Sequence, residues 1–136
     1  MEAFEGSWVN PEIVNFEEYM KACGVSYVVR KLAANMKDKA IFVLYDAKRG
    51  KFTSESTFKN QSNEFILDEE CVIETADGRK FYATFTFENG VLVERQRPFK
   101  DGGIPSTVWR EVKGNKLIIT LEAAGVKAIR TYTKQQ

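Results

Sequence analysis

Most of the chain, from Ala40 onward, repeats one pattern: short segments of alternating apolar and polar residues, separated by turn-forming residues. Pairs such as Asn89-Gly90 and Gly114-Asn115 mark the turns. Candidate strands lie between the turns at residues 40–46, 51–57, 61–67, 70–75, 79–88, 91–97, 106–113, 116–122 and 126–133. With a further strand at residues 4–9 the total is ten. The pattern predicts an all-β, antiparallel up-and-down barrel, since closure removes exposed sheet edges.

The segment between the first strand and the others has a helical period instead. We expect Asn10-Pro11 to end the first strand and Asn15 to be the N-cap of a short helix. Gly24 separates this helix from a second one. The apolar face of the first helix is formed by Phe16, Tyr19, Met20 and Cys23. The apolar stripe predicted for the second is Val25, Val28, Val29, Leu32 and Ala33. Two helices joined in this way also suggest a DNA-reading helix-turn-helix.

Composition disfavours that DNA-reading alternative and several enzyme classes. The 20 basic and 19 acidic residues nearly balance, whereas a nucleic-acid surface is clearly basic. The chain has no histidine, so we expect no histidine-based catalysis and no metal site. Cys23 and Cys71 are unpatterned, which indicates reduced thiols in a cytosolic protein. Residues 1–136 form one domain, and we expect neither a signal peptide nor a membrane span.

The predicted inward faces of the strands mix apolar and polar side chains, which is unusual for a solid core. One such face carries Phe52, Ser54, Ser56 and Phe58; others carry Arg79 with Phe81, Ala83, Phe85 and Phe87, Leu92 with Glu94 and Gln96, and Val108 with Arg110 and Val112. A dry core would leave these polar groups unsatisfied, at about 1–3 kcal/mol each. We interpret the pattern as a cavity for water and a polar-headed ligand. The alternative is a register error of one residue, which would move a row outside.

The last strand places a charge on its predicted inward face. Val126, Ala128, Arg130 and Tyr132 share one face, and no carboxylate lies in the same row. A buried guanidinium needs an anionic partner, so we interpret a ligand carboxylate as the partner of Arg130. The alternative is a solvated Arg130 on the barrel surface, with Glu94 serving Arg110. With unpaired arginines, the empty protein would gain stability from their removal.

Several stretches together resemble the intracellular lipid-binding proteins, specifically the cytosolic fatty-acid-binding family and its heart, adipocyte and myelin branch. The resemblance covers nearly the whole chain. The matching stretches are residues 6–8, 15–20, 24–25, 30–31, 54–60, 75–80 and 90–93, with Arg130-Thr131-Tyr132 and Arg110. The most specific is Ser-Glu-Ser-Thr-Phe-Lys-Asn at residues 54–60.

This resemblance implies a ten-stranded barrel with a two-helix lid, a calycin-type fold, holding one long-chain fatty acid and no cofactor. By resemblance, Arg130 and Tyr132 would bind the ligand carboxylate directly, and Arg110 largely through water. The implied portal and cavity residues are Phe16, Tyr19, Met20, Val25, Ala33, Ser54, Phe58, Ala76, Asp77 and Gln96. Three residues and one loop depart from the family pattern: Asn10, Asp38 in place of a proline, Glu94 on an inward row, and the loop 97–106, which is longer than usual.

The expected function is therefore binding and transport of a fatty acid by a monomeric cytoplasmic protein that is not an enzyme. A retinoic-acid carrier is one alternative, since those relatives also use two arginines and a tyrosine; Phe58 favours the fatty-acid branch. A membrane-stacking structural protein is another, but it needs two basic faces and we identify only one. That face is Lys21, Arg30, Lys31 and Lys59, which predicts transient contact with anionic membranes. Some family members also suggest nuclear import through the same residues.

Overall fold

The computed structural model describes residues 1–136 as one antiparallel ten-stranded sheet, curled into a nearly closed barrel, with two short helices. The strands are β1 Gly6–Val14, β2 Lys39–Leu44, β3 Arg49–Glu55, β4 Gln61–Ile66, β5 Glu70–Glu74, β6 Lys80–Glu88, β7 Val91–Pro98, β8 Ser106–Lys113, β9 Lys116–Ala123 and β10 Val126–Lys134. Their order in the sheet is β4-β3-β2-β1-β10-β9-β8-β7-β6-β5. The predicted barrel is confirmed, and β2 to β10 begin and end within two residues of their predicted bounds.

The prediction for β1 was wrong, because β1 continues through Asn10-Pro11 to Val14. Asn10 adopts a positive φ of 53°, and the register with β10 shifts between Val9 and Glu12. This irregularity is a β-bulge, in which a proline breaks no regular ladder hydrogen bond. A proline that would end a regular strand is therefore accommodated here.

The barrel is not fully closed, since β4 and β5 are the two ends of the sheet order. The side chain of Asn63 on β4 links these edges. Its Nδ2 donates to the carbonyl of Glu74 at 2.9 Å, and its Oδ1 accepts from the backbone N–H of Glu74 at 3.0 Å. One side-chain amide thus supplies both partners that a neighbouring strand would otherwise provide.

The lid consists of α1, Phe16–Ala22, and α2, Tyr27–Ala33, placed between β1 and β2 as predicted. Asn15 occupies the predicted N-cap position of α1, but its side chain does not cap the helix. Its Nδ2 instead donates to the carbonyl of Lys127 at 2.8 Å, which fastens the start of α1 to β10.

The predicted apolar stripe of α2 was partly wrong. Val25 and Ala33 are buried, but Val28 and Leu32 are 66% and 56% exposed. The helix spans only seven residues, and its outer face is covered by no other element. No helix in the structure is long and apolar enough to span a membrane.

Two clusters of buried side chains leave a cavity between them. An aromatic cluster includes Phe42, Phe52, Phe65 and Phe85, with the last two rings stacked at 4.9 Å between centroids. The second, the lid cluster, joins the helices to the sheet and consists of Tyr19, Met20, Val25, Ala33, Ala34, Ala123 and Ala128. The lid is thereby held over one end of the barrel.

Candidate ligand cavity

The barrel contains an internal cavity that opens to solvent at its mouth. Its walls carry apolar side chains together with seven charged ones, which suits a long apolar ligand with a polar head. Most of the predicted site residues lie on these walls: Phe16, Tyr19, Ala33, Ser54, Phe58, Ala76, Asp77, Gln96, Arg110, Arg130 and Tyr132. Met20 and Val25 do not, since they are buried in the lid cluster.

Strand register places the two predicted anchor arginines at the same level of the barrel. Arg110 on β8 and Arg130 on β10 are both paired with Ile119 on the intervening β9. The inward row of β10 is confirmed: Ala128, Arg130 and Tyr132 are buried, while Ile129 between them is 39% exposed. The alternative of a solvated Arg130 is therefore excluded.

Arg130 is held in a network centred on Asp38, which lies in the connector between α2 and β2. Its Nη2 donates to Asp38 Oδ1 at 2.9 Å and to the carbonyl of Met36 at 2.7 Å. Tyr132 Oη donates to the same Asp38 oxygen at 2.6 Å and accepts from Arg130 Nε at 3.1 Å. Ser54 Oγ donates to the second oxygen of Asp38. The Asp38 carboxylate is thus bound through both of its oxygens.

Burial and the neighbouring Asp38 raise the pKa of Tyr132 above its ordinary value, although Arg130 opposes this shift. Tyr132 therefore remains a hydrogen-bond donor at neutral pH. Burial alone would disfavour the charge of Arg130, but Tyr132 and Asp38 outweigh it and raise the pKa of Arg130. The tyrosine hydroxyl and the guanidinium form a persistent donor pair for one carboxylate group.

The expectation that Arg130 lacks a protein carboxylate was wrong. The search within its own strand missed Asp38 because the two residues are 92 positions apart in sequence. The one available signal was the acidic residue at position 38, in the segment after the second helix, noted above as a departure from the family pattern. Nothing local in the sequence indicates that this carboxylate turns into the barrel.

Arg110 also has a carboxylate partner. Its Nη1 lies 2.8 Å from Glu94 Oε1, and Glu94 is 1% exposed. Gln96 Nε2 donates to the other Glu94 oxygen at 2.6 Å. Glu94 Oε1, Arg110 Nη1 and Gln96 Oε1 have no hydrogen-bond partner within the chain, although the first two atoms lie 2.8 Å apart. These atoms face the cavity and can bond to water or to a ligand headgroup.

A third ion pair lies under the lid. Arg79 Nη2 and Nε donate to the two oxygens of Asp77 at 2.7 and 2.8 Å, and the guanidinium carbon lies 5.8 Å from the centroid of the Tyr19 ring. Burial opposes the charge of Arg79, but the bonds to Asp77 outweigh it and raise the pKa of Arg79. All three arginines that line the cavity are therefore paired with carboxylates. The cavity offers no unpaired cation.

The turn between β3 and β4 brings Phe58 to the mouth of the cavity, where it packs against the lid cluster. The turn is held by Ser56, whose Oγ accepts from the backbone N–H groups of Phe58 at 3.2 Å and Lys59 at 3.1 Å. The Phe58 ring thus bridges a fixed turn and the helices above it.

Comparison with known proteins agrees with this geometry. The profile of the lipocalin / cytosolic fatty-acid binding protein family matches residues 5–135. Fatty acid-binding protein homolog 6 of Caenorhabditis elegans is 37% identical over 132 residues, covering 97% of each chain. The crystal structure of Echinococcus granulosus fatty-acid-binding protein 1 superposes with a TM-score of 0.91 at 34% identity, covering 100% of both chains. The Schistosoma mansoni fatty acid binding protein in complex with arachidonic acid has a TM-score of 0.89 at 30% identity, covering 100% of this chain and 98% of that one.

Proposed function

Since this chain belongs to the lipocalin / cytosolic fatty-acid binding protein family, we propose that it binds one long-chain fatty acid without covalent chemistry and transports it through the cytoplasm. The observation that carries this proposal is a large, largely apolar cavity with an inward donor pair, Arg130 and Tyr132. A relative of the same fold, solved with arachidonic acid, supports the ligand class. The acyl chain contributes about 0.8 kcal/mol for each CH₂ buried.

In this proposal the ligand carboxylate is bound by Arg130 and Tyr132 directly and by Arg110 through water. The planar guanidinium and the phenol hydroxyl suit a carboxylate, as Asp38 demonstrates by bonding to both. Arg110 Nη1 makes no hydrogen bond within the chain, although it lies 2.8 Å from Glu94 Oε1, and it is a further donor at the same level of the barrel. The protein then acts as a monomeric carrier, and the proposal assigns no catalytic role to any residue.

The test of the ligand class is direct. The purified protein is subjected to lipid extraction and native mass spectrometry, and then to displacement of a fluorescent fatty acid by oleic acid and by retinoic acid. We expect co-purified long-chain fatty acids and stronger displacement by oleic acid. Stronger displacement by retinoic acid would establish the retinoid-carrier alternative, and absence of displacement by either would refute the proposal.

Phe58 is proposed to gate the passage of the acyl chain. We expect Phe58→Ala to raise the association and dissociation rates of oleic acid several-fold, with a smaller change in affinity, because the ring touches only part of the chain. Stopped-flow fluorescence measures both rates. Phe99→Ala is the matched control, since Phe99 is 48% exposed and does not line the cavity. Unchanged rates with a large loss of affinity would contradict a gate.

The lid is the proposed site of transient membrane contact. Its outer face combines exposed Tyr27, Val28 and Leu32 with the basic residues Lys21, Arg30 and Lys31, and Lys59 lies in the nearby turn. Two of the four cations are partly neutralised, because Lys31 lies 2.8 Å from Glu17 and Lys59 lies 3.4 Å from Glu74. Each cation near an anionic surface contributes about 1 kcal/mol, and less where it is paired.

We therefore expect Lys21→Ala combined with Lys31→Ala to slow ligand transfer to anionic vesicles several-fold. Transfer should become less dependent on vesicle concentration, because fewer collisions are productive. Lys48→Ala combined with Lys113→Ala removes the same charge from turns at the opposite end of the barrel and should leave transfer unchanged. Equal rates for all three proteins would show that transfer is not collisional, and vesicle aggregation by the unmodified protein would favour the membrane-stacking alternative.

A further inference from the structure

We propose that Asp38 is an internal competitor for the ligand carboxylate, so that a fatty acid binds to Arg130 and Tyr132 by displacing Asp38. This inference rests on the proposed function and adds a specificity determinant to it. It also implies that displacement frees the connector between α2 and β2, defined here as residues 34–38.

Asp38 already makes the contacts that a ligand carboxylate at this anchor would make. One oxygen accepts from Arg130 at 2.9 Å and from Tyr132 at 2.6 Å, and the other accepts from Ser54. Two carboxylates cannot use the same Nη2 and the same hydroxyl proton at once. A fatty acid that takes its hydrogen bonds from both Arg130 Nη2 and the Tyr132 hydroxyl must therefore replace Asp38.

Each arginine lining the cavity is paired: Arg79 with Asp77, Arg110 with Glu94 and Arg130 with Asp38. The remaining charged side chain on the wall, Glu74, lies 3.4 Å from Lys59. A ligand carboxylate added without displacement would be a net buried charge, which is strongly unfavourable. Displacement keeps the cavity neutral, because one carboxylate leaves as another arrives.

Of the cavity's paired carboxylates, Asp38 is well placed to leave. Glu94 is 1% exposed on the middle of a strand, whereas the Asp38 side chain is 13% exposed in an irregular segment at the mouth. The neighbouring Lys37 is exposed, so an Asp38 carboxylate released at this surface would meet water and a nearby cation. The released carboxylate regains hydration, which offsets part of the loss of its bonds to Arg130, Tyr132 and Ser54.

Release of Asp38 has a mechanical consequence. Arg130 holds the connector at two points, the Asp38 carboxylate and the carbonyl of Met36 at 2.7 Å. A ligand carboxylate competes for the same Nη2 donor and weakens both. The connector is the segment that follows the lid helix α2, so a ligand with a carboxylate loosens the base of the lid. A ligand with a neutral head leaves Asp38 and Met36 in place.

Specificity follows from the same exchange. When a fatty acid binds, the free energy gained from its bonds to Arg130 and Tyr132 is offset by the loss of the Asp38 bonds to the same donors. A neutral-headed lipid of equal chain length neither makes the new bonds nor breaks those of Asp38. The unmodified protein should therefore distinguish weakly between an acid and its ester, and should accept long-chain lipids with neutral heads.

The test compares oleic acid with methyl oleate as competitors of one fluorescent probe, in the unmodified protein and in Asp38→Asn. In the unmodified protein we expect the two dissociation constants to lie within about tenfold. Asp38→Asn removes the competing charge while keeping the side-chain shape. Oleic acid should then bind about thirtyfold more tightly or better, as expected for a desolvated guanidinium that gains a charged partner.

Methyl oleate has the same acyl chain as oleic acid but no charged headgroup. Its dissociation constant should therefore be the same in the unmodified protein and in Asp38→Asn. Asp101→Asn is the matched control, because it removes the same charge from an exposed loop position. A second readout needs no variant: amide hydrogen exchange at residues 34–38 of the unmodified protein should accelerate with oleic acid and not with methyl oleate.

The outcomes separate the two proposals. If neither protein binds oleic acid or methyl oleate, the proposed function fails. If both ligands bind but Asp38→Asn does not change the ratio of their dissociation constants, the competition inference is overturned and the proposed function stands. The same holds if oleic acid does not change amide hydrogen exchange in the connector. A strong preference for oleic acid in the unmodified protein would also overturn it.

Discussion

Arg110→Gln is expected to lower the free energy of unfolding of the ligand-free protein by about 3 kcal/mol. The change leaves the carboxylate of Glu94, which is 1% exposed, without its cationic partner. The loss should lie at the lower end of the range for broken buried ion pairs, because Gln96 still donates to Glu94 at 2.6 Å. Urea unfolding followed by tryptophan fluorescence measures the change.

The matched control is the double variant Arg110→Gln with Glu94→Gln. Replacing both members of a buried pair by neutral groups is often neutral or stabilising, so the double variant should regain most of the stability lost by Arg110→Gln. The sequence analysis expected the empty protein to gain stability when unpaired arginines are removed, and the pairing of Arg110 with Glu94 reverses that expectation for Arg110. A single variant as stable as the unmodified protein would show that the pair contributes nothing.

In the Asp38→Asn background, Arg130→Gln is expected to weaken oleic acid binding by about thirtyfold or more, while methyl oleate binding stays nearly constant. The Asp38→Asn background is needed because in the unmodified protein Arg130→Gln would also leave the Asp38 carboxylate without its cationic partner. When residue 38 is neutral, Arg130→Gln removes the cation that faces the ligand carboxylate and leaves no protein charge unpaired. Calorimetric titration with both ligands isolates the headgroup contribution from that of the acyl chain.

Arg110 should contribute less than Arg130, because its proposed contact with the ligand runs through water. Adding Arg110→Gln together with Glu94→Gln to the previous variant should remove the rest of the preference for the acid. The two changes are made together so that no protein charge is left unpaired. If oleic acid still binds far more tightly than its ester in this protein, its carboxylate is anchored elsewhere in the cavity.

The inward rows of the strands could be predicted because they depend on a local rule. Side chains alternate across a strand, so buried Ala128 and exposed Ile129 assign Arg130 and Tyr132 to the interior. The turns were equally local, since pairs such as Asn89-Gly90 favour the backbone angles that a hairpin requires. Side-chain alternation and turn-forming pairs were therefore enough to predict the ten strands and most of the cavity wall.

Local rules failed where a neighbouring element changed the outcome. Asn10-Pro11 was expected to end β1, but pairing with β10 continues on both sides of a bulge. The helical period of α2 predicted buried Val28 and Leu32, although the short helix has only one side against the protein. Propensity and period describe a segment by itself and do not include what packs against it.

The sequence by itself determined the barrel, the lid, and the inward position of the arginines and the tyrosine. Only the tertiary structure decided how the interior charges are shared. Glu94 meets Arg110 because strands β7 and β8 pair in one register, with Leu92 opposite Arg110. Asp38 meets Arg130 across 92 residues because the connector after α2 turns into the mouth of the barrel. Alternation specifies which side chains point inward, but which of them touch depends on strand order, register and the path of a short irregular segment.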